Sequence, residues 1–176
     1  TVENLRMNLA SALIHPQVSV QVAAAHDQLI NDDITNLNSR TSCIILGSDA
    51  GYGRAVDTVI RGSTIHECGS TANGNQDHGI YFENSVGAMV TDNVFWGTSA
   101  FAIHLYDNAQ GNRITHNVID DNGYGVTFGG STSFHSNHNQ VAYNIITDSK
   151  IGYGAQSYWA GGVGIGNKFE HNCLYD

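Results

Sequence analysis

Two short stretches of the chain carry the side chains that acid–base chemistry needs. QDHGIYFEN, residues 76–84, holds Asp77, His78, Tyr81 and Glu83, and AIHLYDN, residues 102–108, holds His104, Tyr106 and Asp107. Laid over one another on Ile80-Tyr81-Phe82 and Ile103-His104-Leu105, they set Tyr81 beside His104, Glu83 beside Tyr106, and Asn84 beside Asp107. Carboxylates and imidazoles on one face can take and return protons, and phenol rings offer flat area to a sugar ring. A third stretch, GVTFGG at 125–130, adds Thr127 to the His104 column and then Gly129 and Gly130, a bare floor against which a chain could lie. The catalytic candidates are therefore Asp77, His78, Glu83, His104 and Asp107. Tyr81, Tyr106 and Thr127 are the substrate-binding candidates, joined by Trp159 from the aromatic loop GYGAQSYWAGGVGIGN, where Tyr153 and Tyr158 also stand.

Such a face exists only if something repeats beneath it. An apolar-x-x-polar phrase recurs as Leu5-x-x-Asn8, Ile30-x-x-Asp33, Ile60-x-x-Ser63, Val90-x-x-Asn93, Ile114-x-x-Asn117, Val141-x-x-Asn144 and Phe169-x-x-Asn172. The intervals of 25, 30, 30, 24, 27 and 28 residues are those of stacked units with insertions in their loops. Between these copies runs a second phrase with period-two alternation, in SVQVAA, CIILGS, GIYFEN, AIHLYDN and GVTFGG. That period marks half-buried strands, and the Gly, Asn, Ser and Asp between them favour turns. Val2–Ile14 is the best helix candidate, yet Leu5, Met7 and Leu9 alternate in register with the repeat, so the segment reads as strand. Short strands in every repeat, without hairpin dipeptides or crossover helices, predict an all-β coil: a single-stranded parallel β-solenoid of about six to seven rungs over residues 1–176. The recurring asparagine then forms a ladder, its amide donating to one carbonyl and accepting from the next rung at a bend.

The phrases VTDNVFWG and ITHNVIDDN, preceded by HGIYFEN and AIHLYDN, resemble the right-handed parallel β-helix repeats of the pectate-lyase-like superfamily from Leu5 to Leu174. The resemblance implies an extracellular or cell-surface protein and a polysaccharide partner, cleaved by hydrolysis or elimination; a noncatalytic glycan-binding or spacer segment of a tailspike, adhesin or surface protein is the alternative. Superfamily lyases commonly use a Lys or Arg base with calcium on the uronate; Arg61 and Arg113 fall on different faces, and no dense acidic cluster is present. Of the Asp, Pro, His, Asp run of mannuronan epimerases only Asp77-His78 remains. A hydrolase using Asp77 with Glu83, or Glu83 with Asp107, fits the acidic balance better.

Sixteen acidic against seven basic residues give a net charge of −9, which repels nucleic acid and anionic membranes. Three cysteines allow at most one internal pair; small core side chains are the simplest reading, and a Cys43–Cys68 bridge is the alternative. His135 and His138 have HxxH spacing in a polar loop, but no phosphate loop, GxSxG elbow or HExxH occurs, and calcium is the one cofactor to consider, through the resemblance alone. Ladder phrases begin and end close to the two ends of the chain without an evident polar cap. The expectation is a segment of a longer protein, or ends covered by partner chains.

Overall fold

The computed structural model describes residues 1–10, 18–39, 41–48, 51, 53–70, 76–158 and 162–175. Its strands stack into three parallel sheets. The first sheet holds β1 (Val2–Glu3), β4 (Gln28–Ile30), β8 (Val59–Arg61), β11 (Met89–Thr91), β14 (Arg113–Thr115), β17 (Gln140–Ala142) and β20 (Lys168–Glu170). The second holds β2 (Arg6–Asn8), β5 (Asp33–Thr35), β9 (Thr64–His66), β12 (Val94–Trp96), β15 (Val118–Ile119), β18 (Ile145–Thr147) and β21 (Cys173–Tyr175). The third holds β3 (Val18–Val22), β6 (Ser42–Leu46), β10 (His78–Val86), β13 (Phe101–Gln110), β16 (Tyr124–Phe128) and β19 (Ala155–Ser157), with β7 (Ala55–Val56) beside the end of β10. The chain visits the sheets in turn and so coils through about six turns, the parallel β-solenoid that the repeat predicts.

Inward columns make the core. Ile60, Val90, Ile114 and Val141 come from the first sheet, and Ile34, Ile65, Phe95, Ile119 and Ile146 from the second. Ile44, Leu46, Ile80, Phe82, Ile103, Leu105, Val126 and Phe128 come from the third, all with at most 1% of their surface exposed. The same columns surface at the last described rung, where Leu174, paired with Ile146 on one side, is 54% exposed.

The asparagine ladder is present, with its lower members shifted. Register pairs Val2 with Leu29 and Leu29 with Ile60, so the ladder position three residues on is held by Leu5, Asp32 and Ser63, and Asp33 and Asn8 lie outside it. Each member's oxygen accepts from the backbone N–H of the rung below: Leu5 to Asp32, Asp32 to Ser63, Ser63 to Asn93, Asn93 to Asn117, Asn117 to Asn144 and Asn144 to Asn172, all at 2.9–3.0 Å. The asparagine amides donate back to carbonyls such as Ile60, Val90 and Ile114. A second ladder, which the repeat reading does not contain, serves the bend entering the first sheet through Asn112, Asn139 and Asn167. Asn122 begins a third.

Cys43 and Cys68 form a disulfide with Cα atoms 5.5 Å apart across 25 residues, resolving the two cysteine readings in favour of the bridge. A loop of that length contributes about 3 kcal/mol on the chain-entropy account. Cys173 is free and exposed.

Asn117→Ala is expected to lower unfolding free energy in urea by about 3 kcal/mol or more, since it strips the acceptor from two Asn93 donors and a donor from two buried carbonyls. Asn8→Ala, on an exposed side chain outside the ladder, should change it by less than about 0.5 kcal/mol.

Candidate functional site

The outer face of the third sheet brings most of the candidate residues together. Register sets Tyr81 between Ile45 and His104, and His104 beside Thr127, the column read from the alignment. Beyond Phe82 opposite Leu105 the register slips, and Asn84 pairs with Asn108. Tyr106 and Asp107 together therefore stand opposite Glu83, and the expected Asn84–Asp107 pairing is replaced by a hydrogen bond from Asn108 Nδ2 to Asn84 Oδ1 of 3.1 Å. A one-residue bulge in β13 accounts for the difference.

The rings on this face are stacked on one another. His78 lies 4.8 Å from Tyr81, 5.0 Å from His104 and 5.6 Å from Phe101 between centroids. His104 lies 4.7 Å from Phe101 and 5.4 Å from Tyr106, and Tyr124 closes the row at 4.6 Å from Phe101. Phe101 and Tyr124 are absent from the sequence candidates. They fall in the His78 register, two positions ahead of the alternating core residue, so the alignment holds their place but nothing in it shows a ring turned outward there.

Packing of this kind buries what it holds. Asp77 and Thr127 have no exposed surface, and His104, His78 and Asp107 are only 2%, 4% and 5% exposed. Tyr81, Glu83 and Tyr106 remain half-exposed, the three candidates a ligand can touch directly. Trp159 lies outside the described residues, while Tyr153 and Tyr158 of the same loop are exposed. Two glycines permit the close fit. A Cβ on Gly79 would stand 2.5 Å from the Ala102 carbonyl oxygen, and one on Gly69, at φ +87°, would stand 2.4 Å from the Asp77 Cβ.

Burial sets the protonation of the face. Desolvation raises the Asp77 carboxyl above the usual carboxylate range, against hydrogen bonds from the Ser70 backbone and the Ser99 hydroxyl, the latter 3.3 Å from Oδ2. It pushes His104 down to about 3, and desolvation with the neighbouring His104 takes His78 well below the ordinary imidazole value. Both imidazoles are neutral at neutral pH. Among the described residues, Asp77 Oδ1, His78 Nδ1, Asp107 Oδ1 and Thr127 Oγ1 have no hydrogen-bond partner.

Elsewhere the histidines are occupied or apart. His66 has Nε2 2.8 Å from Asp33 and Nδ1 3.1 Å from Glu67, with its ring stacked on Trp96. His135 of the HxxH pair holds the Gly162 carbonyl at 2.7 Å, and His138 sits at a bend with φ 56°. Among the described residues no three His, Cys, Asp or Glu side chains converge as metal ligands.

The family described as periplasmic copper-binding protein (NosD), a family of right-handed β-helices, matches residues 4–172. No curated protein and no solved structure matches the chain.

The buried histidines fix a pH dependence. Below pH 6.5 the unfolded chain binds protons at His78 and His104 that the fold refuses. Their contribution is thus complete above 6.5 and lost as pH falls toward the folded values, by about 1.4 kcal/mol per pH unit for each ring. Asp77 has the opposite sign, because its neutral form is favoured by folding, so its contribution is lost as pH rises past 3.8 through the raised value. In thermal melts from pH 7 to 4.5, His104→Phe should flatten the fall in Tm, and Asp77→Asn should raise Tm at pH 7.

Proposed function

The chain belongs to the NosD family, and from that premise we infer that it is an exported β-helix that binds polysaccharide on the outer face of its third sheet without cleaving it. The observation that supports this reading is the division of that face. Its half-exposed members, Tyr81, Tyr106 and Glu83, are rings and a hydrogen-bonding carboxylate suited to a sugar. The groups that would move protons are buried, His78 and His104 among rings and Asp77 and Asp107 with at most 5% of their surface exposed. A base must come within hydrogen-bond reach of the proton it takes, and neutral imidazoles held between aromatic faces are poorly placed to do so. Strands β6, β7, β10, β13, β16 and β19 carry Glu83 and Asp107 but no Lys or Arg, which favours a neutral glycan over a polyuronate.

A second reading, hydrolysis, has one observation in its favour. Asp77 is a carboxyl whose burial holds its proton to higher pH, the property of a general acid, but Glu83, six residues on along extended chain, stands roughly 20 Å away, too far to share one glycosidic bond with it, and the carboxyl nearest Glu83 by register is Asp107. The lyase alternative has less support, since no Lys or Arg stands on this sheet.

Copper enters through the family description, and the described residues do not fit it. Copper(I) takes thiolate, thioether or imidazole, and copper(II) takes imidazole in tetragonal sets. Here Cys43 and Cys68 are joined to each other, the free thiol of Cys173 belongs to no convergent set of three His, Cys, Asp or Glu side chains among the described residues, Met7 and Met89 stand on different sheets, and the adjacent His78 and His104 are buried among rings with no third ligand. No step is routed through the metal. The end-cap expectation stands as a proposal too: the exposed Leu174 column is a surface that a further coil or partner chain would cover.

Native gels cast with xylan or mixed-linkage glucan should retard the protein, and Tyr81→Ala or Tyr106→Ala should each weaken retention by up to about tenfold. No reducing ends should appear; their release, abolished in Glu83→Gln and Asp77→Asn, would replace binding with hydrolysis. Addition of cupric or cuprous ion should leave Tm unchanged, and a rise of several degrees at stoichiometric metal would overturn the donor-set argument.

A further inference from the structure

The outer face of the first sheet has the opposite character to that of the third. Of the described cations, Arg6 is paired with Asp33 and Lys150 with Asp121. Arg54, Arg61, Arg113 and Lys168 make no ion pair among the described residues, and three of these four are exposed on the first sheet. Register sets Arg113 and Lys168 in one outward column with Gln140 between them, and Arg61 in the neighbouring column that runs through Thr91 and Thr115, so Arg61 and Arg113 share one sheet face where the sequence repeat puts them on different faces. In strands β8, β11, β14, β17 and β20 the one acidic residue is Glu170, whose Oε1 accepts from Gln140 Nε2 at 2.5 Å. With the exposed Glu3 of β1, which stands in the Arg61 column, the strands of the first sheet carry a formal +1, three cations less two carboxylates, in a chain of net −9.

Beyond the neighbouring column, which continues from Thr115 through Ala142 to Glu170, the bend into the second sheet carries a stack of rings. Successive rungs place Asn4, Asn31, Gly62 and Asp92 at the left-handed position of that bend, residue types that accept it readily. The next three rungs place His116, Tyr143 and His171 there, at φ 58°, 59° and 55°. Their rings stack at 5.4 and 5.1 Å with interplanar angles of 14° and 8°. Faces are turned to one another along the axis, so the nitrogens and the phenol point their edges outward as a row of hydrogen-bonding groups. A tyrosine at positive φ is a backbone cost that the fold does not require, since asparagine or glycine serves in other rungs. The rings coincide with the rungs that carry Arg113, Gln140 and Lys168.

We propose that Arg113, Gln140 and Lys168, with the adjoining His116–Tyr143–His171 stack, bind an extended anionic polysaccharide laid along the solenoid axis. Charge complementarity favours a polyanion. The columns run along the axis at the rung spacing, about 4.8 Å, and offer a polymer lying parallel to it a cation at Arg113, an amide at Gln140 and a second cation at Lys168. The acidic faces lie around the coil. At physiological ionic strength the screening length is about 8 Å, so their repulsion fades while the cations in contact act in full. A membrane surface would meet a face without an exposed apolar cluster beyond Met89 and Tyr143, and is the less suited partner. The inference rests on the saccharide-binding reading only in taking the polyanion to be a glycan, and it places that glycan on a different sheet.

The test uses two polymers of one backbone. Native gels containing carboxymethyl dextran should retard the wild-type chain at 50 mM salt and release it as salt rises, while any retardation by plain dextran should be independent of salt and the same in wild type and R113Q/K168Q. R113Q/K168Q, at exposed positions that leave core and ladders intact, should lose at least tenfold in affinity and flatten the salt dependence. Tyr143→Asn, which keeps a residue at ease with positive φ, should weaken binding without lowering Tm. Tyr106→Ala should leave this binding unchanged, which separates failure here from failure of the third-sheet site. No retardation by carboxymethyl dextran, equal retardation of R113Q/K168Q, or sedimentation with anionic lipid vesicles in place of polymer binding would each overturn the proposal.

Discussion

The fold depends on how a coil without helices satisfies its backbone at buried bends. Strand amides pair with the rungs above and below, but at each corner the chain turns and a backbone N–H faces the next rung with no carbonyl in line. An inward asparagine supplies the acceptor through its oxygen and discharges its own amide on a carbonyl of the neighbouring rung, so one side chain closes both accounts. With Asn112, Asn139 and Asn167 at a second corner and Asn122 at a third, the same device recurs around the section. Each rung is thereby locked in register, and register is what turns equivalent positions into the outward columns on which function rests.

The repeat was legible because its signal is one-dimensional. Apolar residues and asparagines recur at nearly fixed separation, and stacking makes separation in sequence equal to adjacency in space. The Tyr81–His104–Thr127 column followed directly. What failed were positions where spacing is ambiguous by a residue. Asp32 and Asp33 are neighbours of the same type, and only pairing with Ile60 selects the first; Leu5 holds a ladder place with no side-chain amide, its own N–H donating to Asp32. The bulge opposite Glu83 was likewise hidden, since both strands alternate properly on either side of it.

Exposure was less legible than register. Alternation says which side chains leave the core, but burial on an outer face is decided by neighbours on that face and by loops crossing it. Phe101 and Tyr124 close over His104 because three successive rungs carry rings at one register position, a coincidence of neighbours that no single strand displays. Charge segregation shows the same logic. A net charge of −9 suggests an acidic molecule throughout, yet stacking gathers three unpaired cations on one sheet and leaves another with carboxyl groups alone. Overall composition describes the average of faces that a ligand never meets together.

The third-sheet face is held at a cost, and the cost argues for its use. An apolar side chain fits the central column, since Ile45 occupies it one rung before Tyr81. Asp77, His78, Asp107 and Thr127 instead bury polar atoms that no described residue satisfies, each costing about 1–3 kcal/mol against a partnered or apolar alternative. Asp77 adds the penalty of a charge that burial opposes at neutral pH. Stability alone would replace these groups. Two long ladders of satisfied amides and a continuous apolar core give the coil enough margin to keep them, and a rigid ring row over neutral imidazoles presents Tyr81, Glu83 and Tyr106 in fixed positions. Sugar recognition gains from such fixity because ordering loose side chains on binding subtracts from affinity. On the saccharide-binding reading proposed above, the buried polar groups serve as the support that orients the rings above them, a role that needs their shape and their neutrality but not their access to solvent.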